Sequence, residues 1–178
     1  MPSDVVIRPA VLPGDAAGLS AIYRSSAAHH ARLDPSRYRV PEQEPVVAHF
    51  VGLGDASADG VILVAEAAEA LVGYVQIRRR PDPSPASMLR PIPSASVDVA
   101  VIPGRRGQGI GRSLLSAADE WAATHGLAVL VLDALMANTA ALSFYDDCNY
   151  QPFGSLMERE VPVRRRSAFN GPLGAAGT

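Results

Sequence analysis

Residues 97–115 combine a strand, a glycine-rich turn and the start of a helix, and this combination restricts the fold more than any other part of the chain. Valines alternate with other residues up to Pro103, which predicts a strand. Glycines follow at 107, 109 and 111, and apolar residues then recur at helical spacing. Such a turn leaves backbone N–H groups unpaired at the positive end of the helix dipole. The segment therefore predicts a binding site for an anionic phosphate.

The spacing of these glycines separates the segment from two common phosphate-binding motifs. A dinucleotide-binding turn has Gly-x-Gly-x-x-Gly, whereas here the third glycine comes one position earlier. A P-loop requires Gly-Lys-Ser/Thr, and the chain contains no lysine. The run RGQGIG at residues 106–111 instead matches Arg/Gln-x-x-Gly-x-Gly/Ala, the acetyl-CoA motif of the GNAT superfamily of N-acetyltransferases. At this motif the chain resembles that superfamily.

A second segment, residues 132–150, extends the resemblance. It contains the end of a strand, then Asn138 at the start of a helix, then Phe144 and Tyr145 near the end of that helix. Two motifs in the family's order are much more specific than either one alone. The family usually has Gly-Phe where this chain has Asn149-Tyr150, and Asn tolerates the left-handed conformation that ends a helix. The resemblance covers roughly residues 4–162.

The resemblance implies a set of acetyl-CoA contacts and one proton donor. In the family the strand before the glycine turn pairs with the pantetheine arm through its backbone, and the turn holds the pyrophosphate. The implied contacts are Val99, Val101, Arg106, Gly107, Gln108, Gly109, Ile110, Gly111, Arg112, Asn138 and Tyr145. Tyr145 is the implied catalytic acid, because a phenol is protonated at neutral pH and can donate to a thiolate. Taken without the family, Asn138 is a helix N-cap and Tyr145 a half-buried aromatic residue.

The group that accepts the amine proton is left open by the sequence. Asp98 is the carboxylate nearest to the motif and is our candidate catalytic base. Strict alternation places its side chain opposite Val97 and Val99, unless a bulge reverses it. Histidines are alternatives because they titrate near neutral pH. The further candidates are Glu66, Asp133, His29 and His30.

Composition limits the class of protein and its partners. The chain has 178 residues with 48% hydrophobic content, which predicts one globular domain, set at residues 1–162, with a tail at 163–178. The formal net charge of −2 gives no support to nucleic-acid or membrane binding. The single cysteine fits a reducing compartment, and the N-terminus lacks a signal-peptide pattern, so we expect a cytoplasmic protein. Four histidines and one cysteine without ligand spacing predict no metal site.

Periodicity and turn residues predict the element order β-α-α-β-β-β-α-β-α-β. Asp15 is the predicted N-cap of the first helix, and five prolines exclude regular structure from residues 80–94. The other predicted elements are strands at 5–10, 61–66, 71–78, 97–101, 128–133 and 153–161 and helices near 46–51, after the glycine turn and after residue 138. We expect a mixed α/β sheet with the GNAT-like fold that the resemblance implies. That fold has a twisted, mostly antiparallel sheet, splayed between its fourth and fifth strands, with helices on both faces.

The predicted function is acetyl-CoA-dependent transfer of an acetyl group to a primary amine of a small molecule or peptide, by direct attack in a ternary complex. One alternative is a non-catalytic acetyl-CoA-binding sensor or interaction module. Another is transfer of a different acyl group, or transfer to a hydroxyl. Segments 25–41 and 81–94 are expected to line the acceptor side, because the two motifs occupy the cofactor side. Relatives are commonly homodimers, and the resemblance therefore implies a possible homodimer here.

Overall fold

Five strands form one mixed sheet in the computed structural model, which describes residues 4–54 and 59–159. The strands are β1 (Val5–Pro9), β2 (Gly60–Ala67), β3 (Ala70–Arg79), β4 (Ser94–Val101) and β5 (Val129–Val131). The helices are α1 (Ala16–Leu33), α2 (Gln43–Leu53), α3 (Ile110–Thr124) and α4 (Thr139–Asp146), with a 3-10 turn at Pro103–Arg105. The strands lie in chain order, and each pair is antiparallel except β4 and β5, which are parallel.

The two faces of the sheet carry separate hydrophobic clusters. On one face α3 packs through fully buried residues such as Ile110 and Leu114. On the other face α1 and α2 pack through residues such as Leu19 and Phe50. Because both faces are covered, β2 is buried at five consecutive positions instead of alternating. The expected mixed sheet with helices on both faces is confirmed.

The sheet forks between its last two strands. Pairing with β5 is confined to Ser94, Ala95 and Ser96 of β4, whose partners are Val129–Val131. Beyond Ser96, β4 continues to Val101 while it stays paired with β3. The expected splay between the fourth and fifth strands is therefore present, and it opens beside the glycine-rich turn.

The predicted final strand is wrong for the part of it that is described. Residues 151–159 have no strand or helix, and Phe153 and Leu156 are each 99% exposed. The apolar residues here stand at 153, 156 and 157, a spacing that one face of a strand cannot bury. Residues 160–161 of that strand and the expected tail lie outside the described residues. Within residues 4–54 and 59–159, no helix has the length and apolar character needed to span a membrane.

The start of α1 also departs from the prediction. Asp15 occupies the N-cap position, but its side chain makes no capping bond. Its carboxylate instead accepts hydrogen bonds from Arg8 Nη1 and from the Val11 N–H, each at 2.7 Å. A charged guanidinium is a stronger donor than a helix N–H, which explains the exchange. The helix then continues to Leu33, so the first part of the polar segment 25–41 is helical.

Candidate functional site

The open side of β4 presents backbone groups that pair with no strand. The N–H of Ile102 donates to the carbonyl of Val72 at 3.0 Å, and the register with β3 runs back from there without a shift. Because backbone groups alternate along an antiparallel pair, even-numbered residues of β4 bond to β3 and odd-numbered residues point the other way. Val99 and Val101 therefore direct their N–H and C=O groups into the fork. An extended ligand arm can pair there as an added strand would.

The glycine turn brings the start of α3 beside this edge. Gly107 and Gly109 have φ angles of 74° and 81°, which favour glycine. Inside α3 the first N–H to find a helical partner is that of Ser113, which donates to the Gly109 carbonyl at 3.0 Å. The N–H groups of residues 110–112 therefore have no partner within the helix. The side chain of Ile110 is in the core, so only its backbone can contact a ligand.

The polar side chains of the turn contact protein carbonyls. Arg106 donates from Nε to the Val101 carbonyl at 2.9 Å. Arg112 donates from Nη1 to the Asp147 carbonyl, just after α4, also at 2.9 Å. Gln108 donates to the Gly104 carbonyl at 3.2 Å. All three side chains are at exposed positions around the turn. Arg106 and Arg112 therefore place two positive charges on the turn and on the first turn of α3.

Gly111 allows close packing of α3 against α4. A Cβ at this position would lie 3.0 Å from Cζ of the Phe144 ring. Phe144 and its neighbour Tyr145 pack against the cluster on the α3 face. This glycine is thus tied to the placement of α4, a role that the motif alone does not indicate.

Tyr145 lies in the last turn of α4, half-buried beside two aromatic rings. Its ring centroid is 5.4 Å from that of Phe144 and 5.9 Å from that of Tyr150. Burial raises the pKa of Tyr145, and the negative charge of Asp98 raises it further. The phenol therefore keeps its proton at neutral pH and can act as a donor. Asn149, with φ of 65°, ends the helix in the left-handed conformation expected for it.

Asn138 connects the start of α4 with α1. Its side-chain oxygen lies 3.4 Å from the Ala141 N–H as an N-cap and 3.4 Å from Nε2 of His29. Because that oxygen only accepts, Nε2 of His29 carries a hydrogen. The neighbouring His30 is turned away, with Nδ1 2.9 Å from the Ser26 carbonyl. Of the two histidines considered, the structure brings His29 to the predicted cofactor residues.

Asp98 lies on the α1/α2 face of the sheet, opposite the side chains of Val97 and Val99. The register of β4 has no bulge, so strict alternation holds. Its carboxylate accepts a hydrogen bond from Arg78 Nη2 at 3.0 Å, and its side chain is 57% exposed. Its negative charge contributes to the raised pKa of Tyr145. Among the alternative bases, Glu66 is bound to Arg8 in the β1–β2 region.

Sequence reasoning missed the polar residue of β3 that faces Asp98. Gln76 is directly opposite Asp98 in the register and is 8% exposed. Tyr74, two residues earlier on the same face, is also buried, and burial followed by the charge of Asp98 raises its pKa. A glutamine between the apolar residues Val75 and Ile77 is the sequence signal that could have identified it. In residues 4–54 and 59–159, no group of three or more His, Cys, Asp or Glu side chains could hold a metal ion.

Comparison with known proteins gives one family match. The model of the acetyltransferase (GNAT) family matches residues 26–150, more than half of the chain. Among curated proteins, no sequence match was found.

Solved structures share the fold. A mutant of the BH1408 protein from Bacillus halodurans has a TM-score of 0.80 at 21% identity, with 88% of this chain and 99% of that chain covered. The aminoglycoside N-acetyltransferase AAC(6')-Iy, in complex with CoA, has a TM-score of 0.60 at 17% identity, with 91% of this chain and 95% of that chain covered. An aminoglycoside acetyltransferase from an uncultured soil metagenomic sample, in complex with sisomicin, has a TM-score of 0.63 at 17% identity, with 90% of this chain and 97% of that chain covered.

Proposed function

The chain belongs to the acetyltransferase (GNAT) family, and from this premise we propose that it moves the acetyl group of acetyl-CoA to a primary amine by direct attack in a ternary complex. The observation that carries the proposal is the fork, where β4 continues past its pairing with β5 toward the glycine turn, and where Val99, Val101 and Tyr145 pack against one hydrophobic cluster. When bound, acetyl-CoA supplies an acetyl group as a thioester, which an amine nitrogen can attack. The two aminoglycoside acetyltransferases are each 17% identical to this chain, which indicates a shared fold and does not identify a shared acceptor.

The residues around the fork fit the parts of acetyl-CoA. The backbone of Val99 and Val101 matches the alternating amides of a pantetheine arm. The free N–H groups at the start of α3 suit a pyrophosphate, because they add hydrogen bonds to the favourable end of the helix dipole. Arg106 and Arg112 would supply compensating positive charge there. Asn138 and Tyr145, at the two ends of α4, would meet the thiol end.

Two protons must move when the amide bond forms and the C–S bond breaks. Tyr145 would donate one to the departing sulfur, since its raised pKa keeps the phenol protonated. Asp98 would accept the other from the amine nitrogen, because it directly precedes Val99, whose backbone faces the fork. A backbone N–H of β4 would polarise the carbonyl oxygen as an oxyanion hole does. Solvent later returns the phenol proton and removes the carboxyl proton.

The test begins with acetyl-CoA binding by titration calorimetry. Gly107 and Gly126 both have a positive φ and open space around them, with angles of 74° and 66°, so glutamate imposes the same backbone strain at each. Gly107→Glu should abolish binding through charge repulsion at the turn, and Gly126→Glu should retain it. Equal loss in both variants, or no binding to the unmodified protein, would overturn the cofactor assignment.

Turnover is then measured as thiol release across a panel of primary amines. Tyr145→Phe should lower kcat by roughly 10²–10⁴-fold while acetyl-CoA binding persists. Tight binding without turnover of any amine would contradict the transferase proposal and favour a sensor or interaction module instead.

A further inference from the structure

Three polar side chains form a patch on the sheet face beneath α1 and α2, next to the fork. Gln76 and Asp98 are direct cross-strand partners, and Arg78 is two residues beyond Gln76 on the same face of β3. Arg78 Nη2 donates to Asp98 Oδ2 at 3.0 Å. In the described part of the chain, Asp98 Oδ1 and the other guanidinium nitrogens of Arg78 have no hydrogen-bond partner. The pair thus offers one free anionic and one free cationic edge, side by side.

A cavity of about 160 Å³ adjoins this patch between the sheet and the end of α2. Its polar lining consists of Asp59, Gln76 and Arg78, and its apolar lining includes Ala10, Leu53 and Ile62. The amide of Gln76 makes no hydrogen bond to any described residue, although the residue is 8% exposed. A cavity of this volume has room for several non-hydrogen atoms. Its size and its mixed polar and apolar lining fit a medium-sized side chain with one polar group.

On the basis of the proposed acetyl transfer, we propose that the acceptor is a free α-amino acid whose amine meets Asp98, whose carboxylate meets Arg78 and whose side chain enters the cavity beside Gln76. The two charged groups of an α-amino acid are roughly 3 Å apart, as the backbone bond lengths require. This separation matches the 3.0 Å between Arg78 and Asp98, so one ligand can lie along both. A peptide N-terminus lacks the adjacent carboxylate, and a long diamine carries its second charge with the wrong sign.

The position of the patch connects this site with the chemistry. Asp98 directly precedes Val99, whose backbone faces the fork. An amine held at Asp98 is therefore delivered to the edge where the acetyl group is expected. Arg78 would bind the carboxylate and Asp98 the amine, so the two partners of one ion pair hold the two charged groups of one ligand.

The experiment compares leucine, methionine and glutamine with their amides as acceptors, by kcat/KM for thiol release. The unmodified protein should prefer each acid over its amide by at least about tenfold, the worth of one charge-assisted contact. Arg78→Ala should remove that preference by lowering only the values for the acids. Arg79→Ala is the matched control, because Arg79 lies on the opposite face of β3 and donates to the His125 carbonyl at 2.8 Å.

Two results would overturn the inference while leaving acetyl transfer intact. One is turnover of amines with no preference for the acids. The other is an equal loss for acids and amides in Arg78→Ala, which would make the arginine a general structural contact.

Absence of turnover would instead contradict the proposed function. The amino-acid site is then tested by itself, by calorimetry of the same acids and amides with coenzyme A present. Tighter binding of the acid that depends on Arg78 supports it. Equal or absent binding of acid and amide rejects it.

Discussion

Replacing Gly111 with alanine tests whether this glycine serves the packing of α4. The added Cβ would lie 3.0 Å from Phe144 Cζ, and ordinary contact begins at 3.4 Å, so the ring must give by a few tenths of an ångström. Overpacking of this kind costs about 1–3 kcal/mol. Alanine in a helix gains roughly 0.5–1 kcal/mol over glycine, which offsets part of that cost. We expect a net destabilisation between zero and about 2.5 kcal/mol, measured by urea unfolding.

The same displacement should affect catalysis more clearly than stability. Tyr145 follows Phe144 in α4, so a shift of the ring moves the proposed proton donor. A misplacement of about 1 Å can cost roughly 10²-fold in rate, and a few tenths should lower kcat by about 3- to 10-fold. The affinity for acetyl-CoA should stay nearly constant, because the backbone N–H of residue 111 remains.

A double-mutant cycle with Phe144→Leu separates packing from cofactor contact. Leucine leaves room for the new methyl group, so the effect of Gly111→Ala on kcat and stability should largely disappear in that background. The reasoning is refuted if Gly111→Ala weakens acetyl-CoA binding tenfold or more and Phe144→Leu does not restore it. That result would show that the bound ligand itself requires a residue without a side chain at position 111.

Three further changes probe the fork, the core and the Arg8 contact. Val99→Pro removes an N–H that faces the fork, so calorimetry should give about 3- to 10-fold weaker acetyl-CoA binding with a similar melting temperature. Ala100→Pro removes a hydrogen bond to β3 and should lower the free energy of unfolding by about 2–4 kcal/mol. Equal effects of the two variants on stability would contradict the assigned register. Leu114→Ala, at a fully buried position, should lower the free energy of unfolding by about 2–5 kcal/mol in urea, and a loss below 1 kcal/mol would argue against a packed core there. Arg8 holds the pKa of Asp15 below its usual value, so the stability that Asp15 contributes is present above about pH 4 and is lost as the pH falls through its folded pKa. Asp15→Asn should therefore cost about 1–2 kcal/mol at pH 7 and much less near pH 2, and a cost independent of pH would be inconsistent with this ion pair.

Local signals explain why the region from β4 to α3 could be predicted from the sequence. Alternating valines, closely spaced glycines and a helical apolar stripe each act within a few residues, and neighbouring elements were consistent with one another. Alternation also predicted the face on which Asp98 lies. The fork itself came from the resemblance to the family, because nothing local in β5 tells where its pairing with β4 stops.

Contacts between distant residues explain what the sequence could not provide. His29 and Asn138 are 109 positions apart, and no periodicity relates the end of one helix to the start of another. Asp15 matched the usual N-cap pattern, but an arginine from β1 competes for its carboxylate. Gln76 gained its significance only from its burial and from the cavity that it lines.

The alternation of backbone groups along β4 has a consequence for solvent exchange. Amide hydrogens at 98 and 100 are held in the ladder with β3, whereas those at 99 and 101 face the fork. In deuterated water, slow and fast sites should therefore alternate residue by residue through the middle of a sheet, where uniform protection would normally be found. A bound pantetheine arm would slow the fast sites and leave the slow ones unchanged. The free protein thus holds a row of solvated amides whose release of water accompanies ligand binding.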